Sequence, residues 1–443
     1  MRVCIMGLGY IGFPTACVLG QAGHDVIGVD VNPVLVDRLS LGDIPIVNEP
    51  GLTDLAHSVL QSGKLKISTE PEVADVFIIA VPTPVQDDRE VASPEHSRLE
   101  YRYRADLSYV VAATKAIAPF LRAGNLLILE STVPPHTLDR TVLPLLQSEG
   151  VDTSTVLLAH APERVLPGNI LRELVYNHRL VGGLTPQASR AAADFYRSFV
   201  KAQVEETDCT TAELVKLMEN TYRDVNIALA NEFALVGEHL GVDIWNAIRL
   251  ANLHPRVNYL RPGPGVGGHC IAVDPYFVIE AAPELTSLIQ AARRVNRQMP
   301  LHVLDLFRRL AQGTVVRKAA ILGASYKANV GDERESPALE VARLLESEGI
   351  NVAIHDPHIG RYAHPVERVL AGADAVLLLT DHVDYLALDP RVVSGLVSQR
   401  LLLDTRGYLD AASWTAAGFR VATVGSGQYN MRGITPETLT VGD

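Results

Sequence analysis

Cys270 directly follows the run Gly265-Val266-Gly267-Gly268-His269 and stands four residues before Asp274. A cysteine just after a glycine loop, with an aspartate four residues later, is a candidate nucleophile. With a free-thiol pKa of about 8.5, only a few per cent of such a group is thiolate at neutral pH. A nucleophilic role therefore calls for neighbouring cations or a helix N-terminus, and His269 and Lys216 are the candidates to supply charge. Taken alone, Cys270 is open to two readings, a nucleophile or a small core residue. His269 and Cys270 are too sparse to make a metal centre, and no metal is expected.

A second polar set, Lys216, Asn220 and Arg223, falls at i, i+4 and i+7 of a helical pattern and so shares one helix face. A solvated charge stripe is the ordinary explanation. The alternative is a polar site, because apolar residues flank the stripe and Asn220 is a poor helix former. A lysine whose surroundings lower its pKa can serve as a general base or hydrogen-bond an oxyanion.

A third set opens the chain. Gly7, Gly9 and Gly12 form G-x-G-x-x-G with Tyr10 and Ile11 between them, after the apolar run Arg2 to Met6 and before a helix-period stretch ending near Gly23. Such glycines allow a tight turn, close backbone approach to a pyrophosphate and close helix–strand packing. Asp30 ends the next apolar run, where a carboxylate bonds a ribose 2′-hydroxyl and repels a 2′-phosphate, so NAD is favoured over NADP. Thr83 and Thr132 follow two further apolar runs, Val76 to Val81 and Leu126 to Glu130. Those positions are the carboxyl ends of expected parallel strands, where ligands bind in an open α/β sheet, although an isolated hydroxyl there is more often a turn residue.

These groups imply a frame to hold them. Apolar runs at 2–6, 24–30, 76–81, 126–130 and 156–159 alternate with helix-length segments, the pattern of a doubly wound parallel sheet running to about residue 205. From Asp208 a long helical pattern follows, with Thr210 and Glu213 spaced as a capping box. Further runs at 318–323, 352–356, 375–380 and 401–404 predict a second sheet of the same kind. The expectation is an α/β protein of two Rossmann-like doubly wound domains, 1–205 and 301–443, joined by a central helical domain, 206–300, with a long connecting helix. Between Val85 and Ala105 the chain turns abruptly polar. That segment reads as a solvated loop or, alternatively, as a lid bringing Arg98, Arg102 and Arg104 to an anionic ligand.

Composition limits the rest. With 443 residues, 47% of them apolar, and a net charge of −12, the chain is globular and lacks a broad electrostatic grip on nucleic acid or an anionic membrane. Cys4, Cys17, Cys209 and Cys270 show no disulfide or zinc-ribbon spacing. The apolar start carries one basic residue and glycines at structured spacing, so it reads as core rather than as a secretory signal. No run reaches the ~18 apolar residues of a membrane span. A soluble, cytoplasmic protein is expected.

In combination these motifs resemble the UDP-glucose/GDP-mannose dehydrogenase family of nucleotide-sugar 6-dehydrogenases, over essentially the whole chain. GLGYIGFPTA, ILESTVPP, HAPERVLPGN, ELVKLMENTYRDVNIALANE, GPGVGGHCIAVDP and SYKANVGDERESPA stand in the family's order and spacing. HPRVNYL followed by PGPGVGGHCIAVDP is most similar to the members acting on UDP-N-acetyl-mannosamine, with those acting on UDP-N-acetylglucosamine next. The resemblance implies oxidation of a C6 alcohol to a carboxylate with two NAD and one water. It implies Cys270 as the thiol that forms a thiohemiacetal and then a thioester, Lys216 and Asn220 as oxyanion partners, Asp274 beside water, Glu163 as acid or base, and Thr132 nearby. For the UDP-sugar it implies Arg164, Val165, Lys216, Asn220, Arg223, His254, Arg256, Gly267, Tyr326 and Lys327, with Arg334 approaching the cofactor. It further implies a homodimer built on the central helices, His254 or Arg256 completing the neighbour's site. A two-electron β-hydroxyacid dehydrogenase of related architecture gives Cys270 no task. A non-catalytic NAD-binding module leaves Lys216, Asn220, Cys270 and Asp274 unexplained. Two departures stand out: His136 where the family pattern has glycine, and Glu333 where threonine is common before Arg334, a charge able to alter cofactor affinity.

Overall fold

A computed structural model of the chain describes residues 1–46, 49–87, 103–166 and 168–427. They fall into two compact units, Met1–Glu219 with Tyr276–Leu285, and Asn220–Pro275 with Thr286–Asp443. The first holds β1 (Arg2–Met6), β2 (Asp25–Val29), β3 (Leu65–Ser68), β4 (Val76–Ile79), β5 (Val85–Asp87), β6 (Tyr103–Ala105), β7 (Leu126–Leu129), β8 (Leu157–His160), β9 (Arg179–Gly183) and β10 (Val204–Asp208). Eight of these make one sheet in the order β10-β9-β8-β7-β4-β1-β2-β3.

The apolar runs become strands because both sheet faces are covered. Val3 and Ile5 of β1 point into one core with Phe13 and Leu19 of the following helix, while Cys4 and Met6 enter a second core with Phe77 and Leu127. Each such side chain, fully buried, contributes about 1.5–3 kcal/mol of apolar transfer. The crossing from β1 to β4 on one side and to β2 on the other is the switch point of a doubly wound sheet. Three strands of this sheet were not among the expected apolar runs: β3, β9 and β10. β10 reads VEETD, and β9 pairs antiparallel with β8, setting Ala159 opposite Gly183 and His160 opposite Gly182.

The polar segment after Val85 begins and ends as an antiparallel pair, Val85 opposite Ala105. Arg104 lies on β6, and the Ala105 amide donates to Glu280 at 2.8 Å. Arg98 and Arg102 lie outside the described residues, and with them the lid reading of that segment.

The second unit carries β11 (Lys318–Leu322), β12 (Asn351–His355), β13 (Ala375–Leu378), β14 (Leu401–Asp404) and β15 (Arg420–Thr423), all parallel, ordered β12-β11-β13-β14-β15. Its other large elements are the helix Ser287–Leu310 and most of the helix Cys209–Leu240. The expected capping box does not form. Asp208 caps the long helix instead, accepting from the Thr211 amide at 2.9 Å and the Thr211 hydroxyl at 2.6 Å. Glu213 is buried and turned to another task, accepting from the amides of His136 at 2.6 Å and Leu138 at 3.0 Å. A carboxylate one residue before the helix outcompetes Thr210 for the open first-turn amides. Among the described residues no helix is long and apolar enough to cross a membrane.

Candidate active site

Gly7 has a φ of +96°, and a Cβ there would stand 2.5 Å from the Ala80 carbonyl oxygen. At Gly12 a Cβ would stand 1.9 Å from the Gly7 carbonyl oxygen, so both positions demand glycine for the chain itself to close. Gly9 differs: nothing lies within 4 Å of its Cβ position. Open space over the N-terminus of helix Gly12–Gln21 is what a dinucleotide pyrophosphate requires. Asp30 is fixed at the end of β2, one oxygen accepting from the Leu8 amide and the other from the Asn32 amide, each at 2.9 Å. A carboxylate so held keeps lone pairs for a ribose diol, and the residues fit NAD.

Tyr10 and Ile11 are half-buried, and the Tyr10 hydroxyl donates to Glu49 at 2.6 Å. Glu49 also accepts from the amides of Gly168 and Ile170, tying the glycine turn to the loop before helix Ile170–Tyr176. Nothing in the sequence pattern singled out Glu49. Thr83 donates to the Thr132 carbonyl at 2.6 Å. Ser131 donates to the Val81 carbonyl at 2.7 Å and accepts from the Val81 amide at 2.9 Å. These hydroxyls lock the carboxyl ends of β4 and β7 together.

At the ends of β7 and β8 lies a buried ionic group. Glu163 pairs with Arg179 at 2.5 Å and accepts from the Arg164 amide at 2.6 Å. Arg179 also faces Glu130 at 3.6 Å, and the Tyr196 hydroxyl donates to Glu130 at 2.6 Å. Burial outweighs the guanidinium and pushes the Glu130 carboxyl up to about 7. His160, wholly buried, is held neutral, its pKa brought down to about 3 by desolvation. Arg164 pairs with Glu219 at 2.8 Å, while Val165 and Lys216 are half-buried. His136 has a φ of +71°, which explains why glycine suits that position; its amide bond to Glu213 offsets part of the strain.

The second unit builds the thiol's surroundings. Asn220 donates to Asp274 at 2.6 Å, both side chains buried. The Cys270 carbonyl accepts from the amides of Val273 at 3.0 Å and Asp274 at 2.8 Å, so the half-buried thiol stands at the turn entering helix Asp274–Ala281. Tyr326 lies on the glycine run. A Cβ at Gly267 would be 2.8 Å from its Cβ, and one at Gly268, where φ is +84°, would be 2.8 Å from its ring. The Gly268 amide donates to the Arg334 carbonyl at 2.9 Å. Burial first, then the charges of Asp332 and Cys270, push the Tyr326 phenol up to about 12.

Arg334 pairs with Asp332 at 2.6 Å, and Glu333 pairs with Arg361 at 2.5 Å. The acidic neighbour that engages Arg334 is thus Asp332, and the Glu333 charge expected to act on Arg334 is met by Arg361. Arg223 and Lys327 are exposed, as are His254 and Arg256 after helix Ile244–Ala251. The sequence reading missed a buried chain behind the glycine run. Asn231 accepts from the Gly263 amide at 2.8 Å and donates to Asn296 at 2.9 Å, and Asn296 donates to Asp224 at 2.8 Å. Their signal was amide residues inside apolar helix faces.

Three family models match the chain: the NAD binding domain of the UDP-glucose/GDP-mannose dehydrogenase family at residues 1–200, its central domain at 210–298 and its UDP binding domain at 320–411. A UDP-N-acetyl-D-mannosamine dehydrogenase from Methanococcus maripaludis is 42% identical over 436 residues, covering 97% of this chain and 98% of its own. An NDP-N-acetyl-D-galactosaminuronic acid dehydrogenase from Ralstonia nicotianae is 44% identical, covering 92% and 96%. Among solved structures, the UDP-D-ManNAc dehydrogenase of Pyrococcus horikoshii superposes with a TM-score of 0.88 at 38% identity, covering 97% of this chain and all of that one.

Proposed function

The chain belongs to the UDP-glucose/GDP-mannose dehydrogenase family, and we propose that it oxidises C6 of UDP-N-acetyl-D-mannosamine to the carboxylate by way of Cys270. The observation that carries the mechanism is a half-buried thiol at the turn into a helix that begins with the buried Asn220–Asp274 pair. Bound NAD supplies the hydride acceptor, twice per sugar. In the first oxidation C6 loses hydride and its hydroxyl proton, and Glu163 is the acid–base group for that proton. The Cys270 sulfur then adds to the aldehyde, its proton passing to the new hemithioacetal oxygen. Loss of a second hydride and that proton leaves the thioester. Water adds to the thioester carbonyl, the C–S bond breaks, and the carboxylate leaves as the thiol is restored. Asn220 and Lys216 steady the oxyanion at each addition, and Asp274 orients the water.

The diphosphate is met by Arg164, Arg223 and Lys327, with Val165, Gly267 and Tyr326 framing the sugar nucleotide. Arg334 approaches the cofactor, with Thr83 and Thr132 near it. A reducing, cytoplasmic setting suits a thiol that must be free at the start of every cycle. The reading extends to a homodimer on the long helix. Tyr222, Leu229, Phe233, Val236 and Leu240 recur at helical spacing and stay exposed, a stripe that a second copy would cover, with His254 and Arg256 completing the neighbouring site. The mannosamine sugar is the one for which the M. maripaludis and P. horikoshii relatives are named. Initial rates on the UDP-linked forms of N-acetylmannosamine, N-acetylglucosamine, N-acetylgalactosamine and glucose test it. The expected kcat/KM for the first exceeds the others at least tenfold; a larger value for any other reassigns the substrate.

A further inference from the structure

Glu163 does not stand alone at the end of the sheet. Because β9 runs antiparallel to β8 with His160 opposite Gly182, its first residue, Arg179, lies at the carboxyl end of β8, where Glu163 follows. The antiparallel turn of that strand thus delivers a guanidinium to the end of the sheet where the substrate binds. Arg179 is 3% exposed, Glu163 9% and Glu130 2%, so one cation serves two carboxyls with almost no water. The pairing is uneven. Glu163 is bonded closely, 2.5 Å, while Glu130 stands off at 3.6 Å and takes the hydroxyl of Tyr196. The Tyr196 ring lies under the guanidinium, 4.9 Å from its carbon.

Resting on the acid–base role given to Glu163 above, we propose that Arg179, backed by Glu130 and Tyr196, is a positioning residue that fixes the Glu163 carboxylate for its work at C6. One oxygen of Glu163 meets a guanidinium nitrogen of Arg179 and the other accepts from the Arg164 amide, so the carboxylate is fixed at both oxygens, and catalysis is sensitive to displacement of about 1 Å. A guanidinium serves here where an ammonium would not, since it reaches two carboxyls from one plane. The surplus negative charge falls on Glu130, where burial favours the protonated form. Arg179 touches neither substrate nor cofactor in this scheme, so its removal acts through Glu163 alone.

The test compares Glu163→Gln, Arg179→Lys and the double variant Glu130→Gln/Arg179→Met in the full-length enzyme, with UDP-N-acetyl-D-mannosamine and NAD. The double variant removes the cation together with one of its two carboxyls, so that only Glu163 is left without its ion-pair partner. Glu163→Gln is expected to lower kcat at least tenfold. Arg179→Lys and the double variant should lower kcat to a similar extent while KM for the sugar nucleotide stays within threefold, and adding Glu163→Gln to either should cost less than twofold more, since the residues act as one unit. Near wild-type kcat in Arg179→Lys or the folded double variant, with Glu163→Gln impaired, overturns the positioning role and leaves the function above intact. Near wild-type kcat in Glu163→Gln overturns the acid–base role and this inference together.

Discussion

Asn220 and Asp274 form one buried pair next to the turn that carries Cys270. The amide satisfies a carboxylate that is 2% exposed, and that carboxylate opens the helix whose preceding turn carries Cys270. The thiol's role is separable from its packing. Cys270→Ser keeps the volume, so thermal stability should stay within about 1 kcal/mol of wild type, while steady-state NADH production falls at least a hundredfold. Retention of more than a tenth of the wild-type rate would remove the thioester step. His136 makes a second residue-scale case. Its φ of +71° costs a non-glycine residue about 1 kcal/mol, so His136→Gly should raise the unfolding free energy by up to that amount in a denaturant titration. Destabilisation instead would mean that the contact with Asp139 at 3.1 Å matters more than the backbone strain.

The three glycines after β1 have different tasks, which the element makes plain and the motif does not. Gly9→Ala meets only open space in the protein, so the fold should keep its thermal midpoint within a degree or two while KM for NAD rises at least tenfold. Gly12→Ala collides with the Gly7 carbonyl and should yield little folded protein. An unchanged KM in Gly9→Ala would remove the pyrophosphate from that turn. The β1–helix–β2 unit was legible because apolar runs, glycine spacing and Asp30 all agree. Four strands of the second sheet were legible from apolar runs such as Ala375–Leu378, whereas the edge strand β15, Arg420–Thr423, was not, because RVAT is too short and polar to stand out. VEETD was not, because an edge strand buried on few residues carries charge and lacks the apolar run. Nor was the Arg179 pairing, since a strand that begins with a buried arginine is explained only by the antiparallel run of β9, which brings its start to the end of β8 near Glu163. The capping of the long helix was misplaced by one motif: Thr210 and Glu213 have the right spacing, but Glu213 is needed by the His136 turn.

At the scale of the whole chain, one continuous helix, Cys209–Leu240, follows the first sheet, precedes the second and carries Lys216 and Asn220. Stability and chemistry therefore share residues. Burial raises the Glu213 carboxyl from 4.5 to about 7, so its folded form binds the proton more tightly than its unfolded form. The sign follows: this contribution is fully present below about pH 4.5 and is lost as pH rises through 7. The unfolding free energy of wild type relative to Glu213→Gln should accordingly be greatest at low pH and fall steadily between pH 5 and 8 in parallel denaturant titrations. A difference that grows with pH would mean that the two backbone amides, rather than burial, govern that carboxyl. The most direct test of the central claim is the NADH formed per molecule of limiting UDP-N-acetyl-D-mannosamine at completion. Four-electron oxidation through a Cys270 thioester predicts two equivalents and a uronate product; one equivalent, with an aldehyde or ketone released, would contradict it.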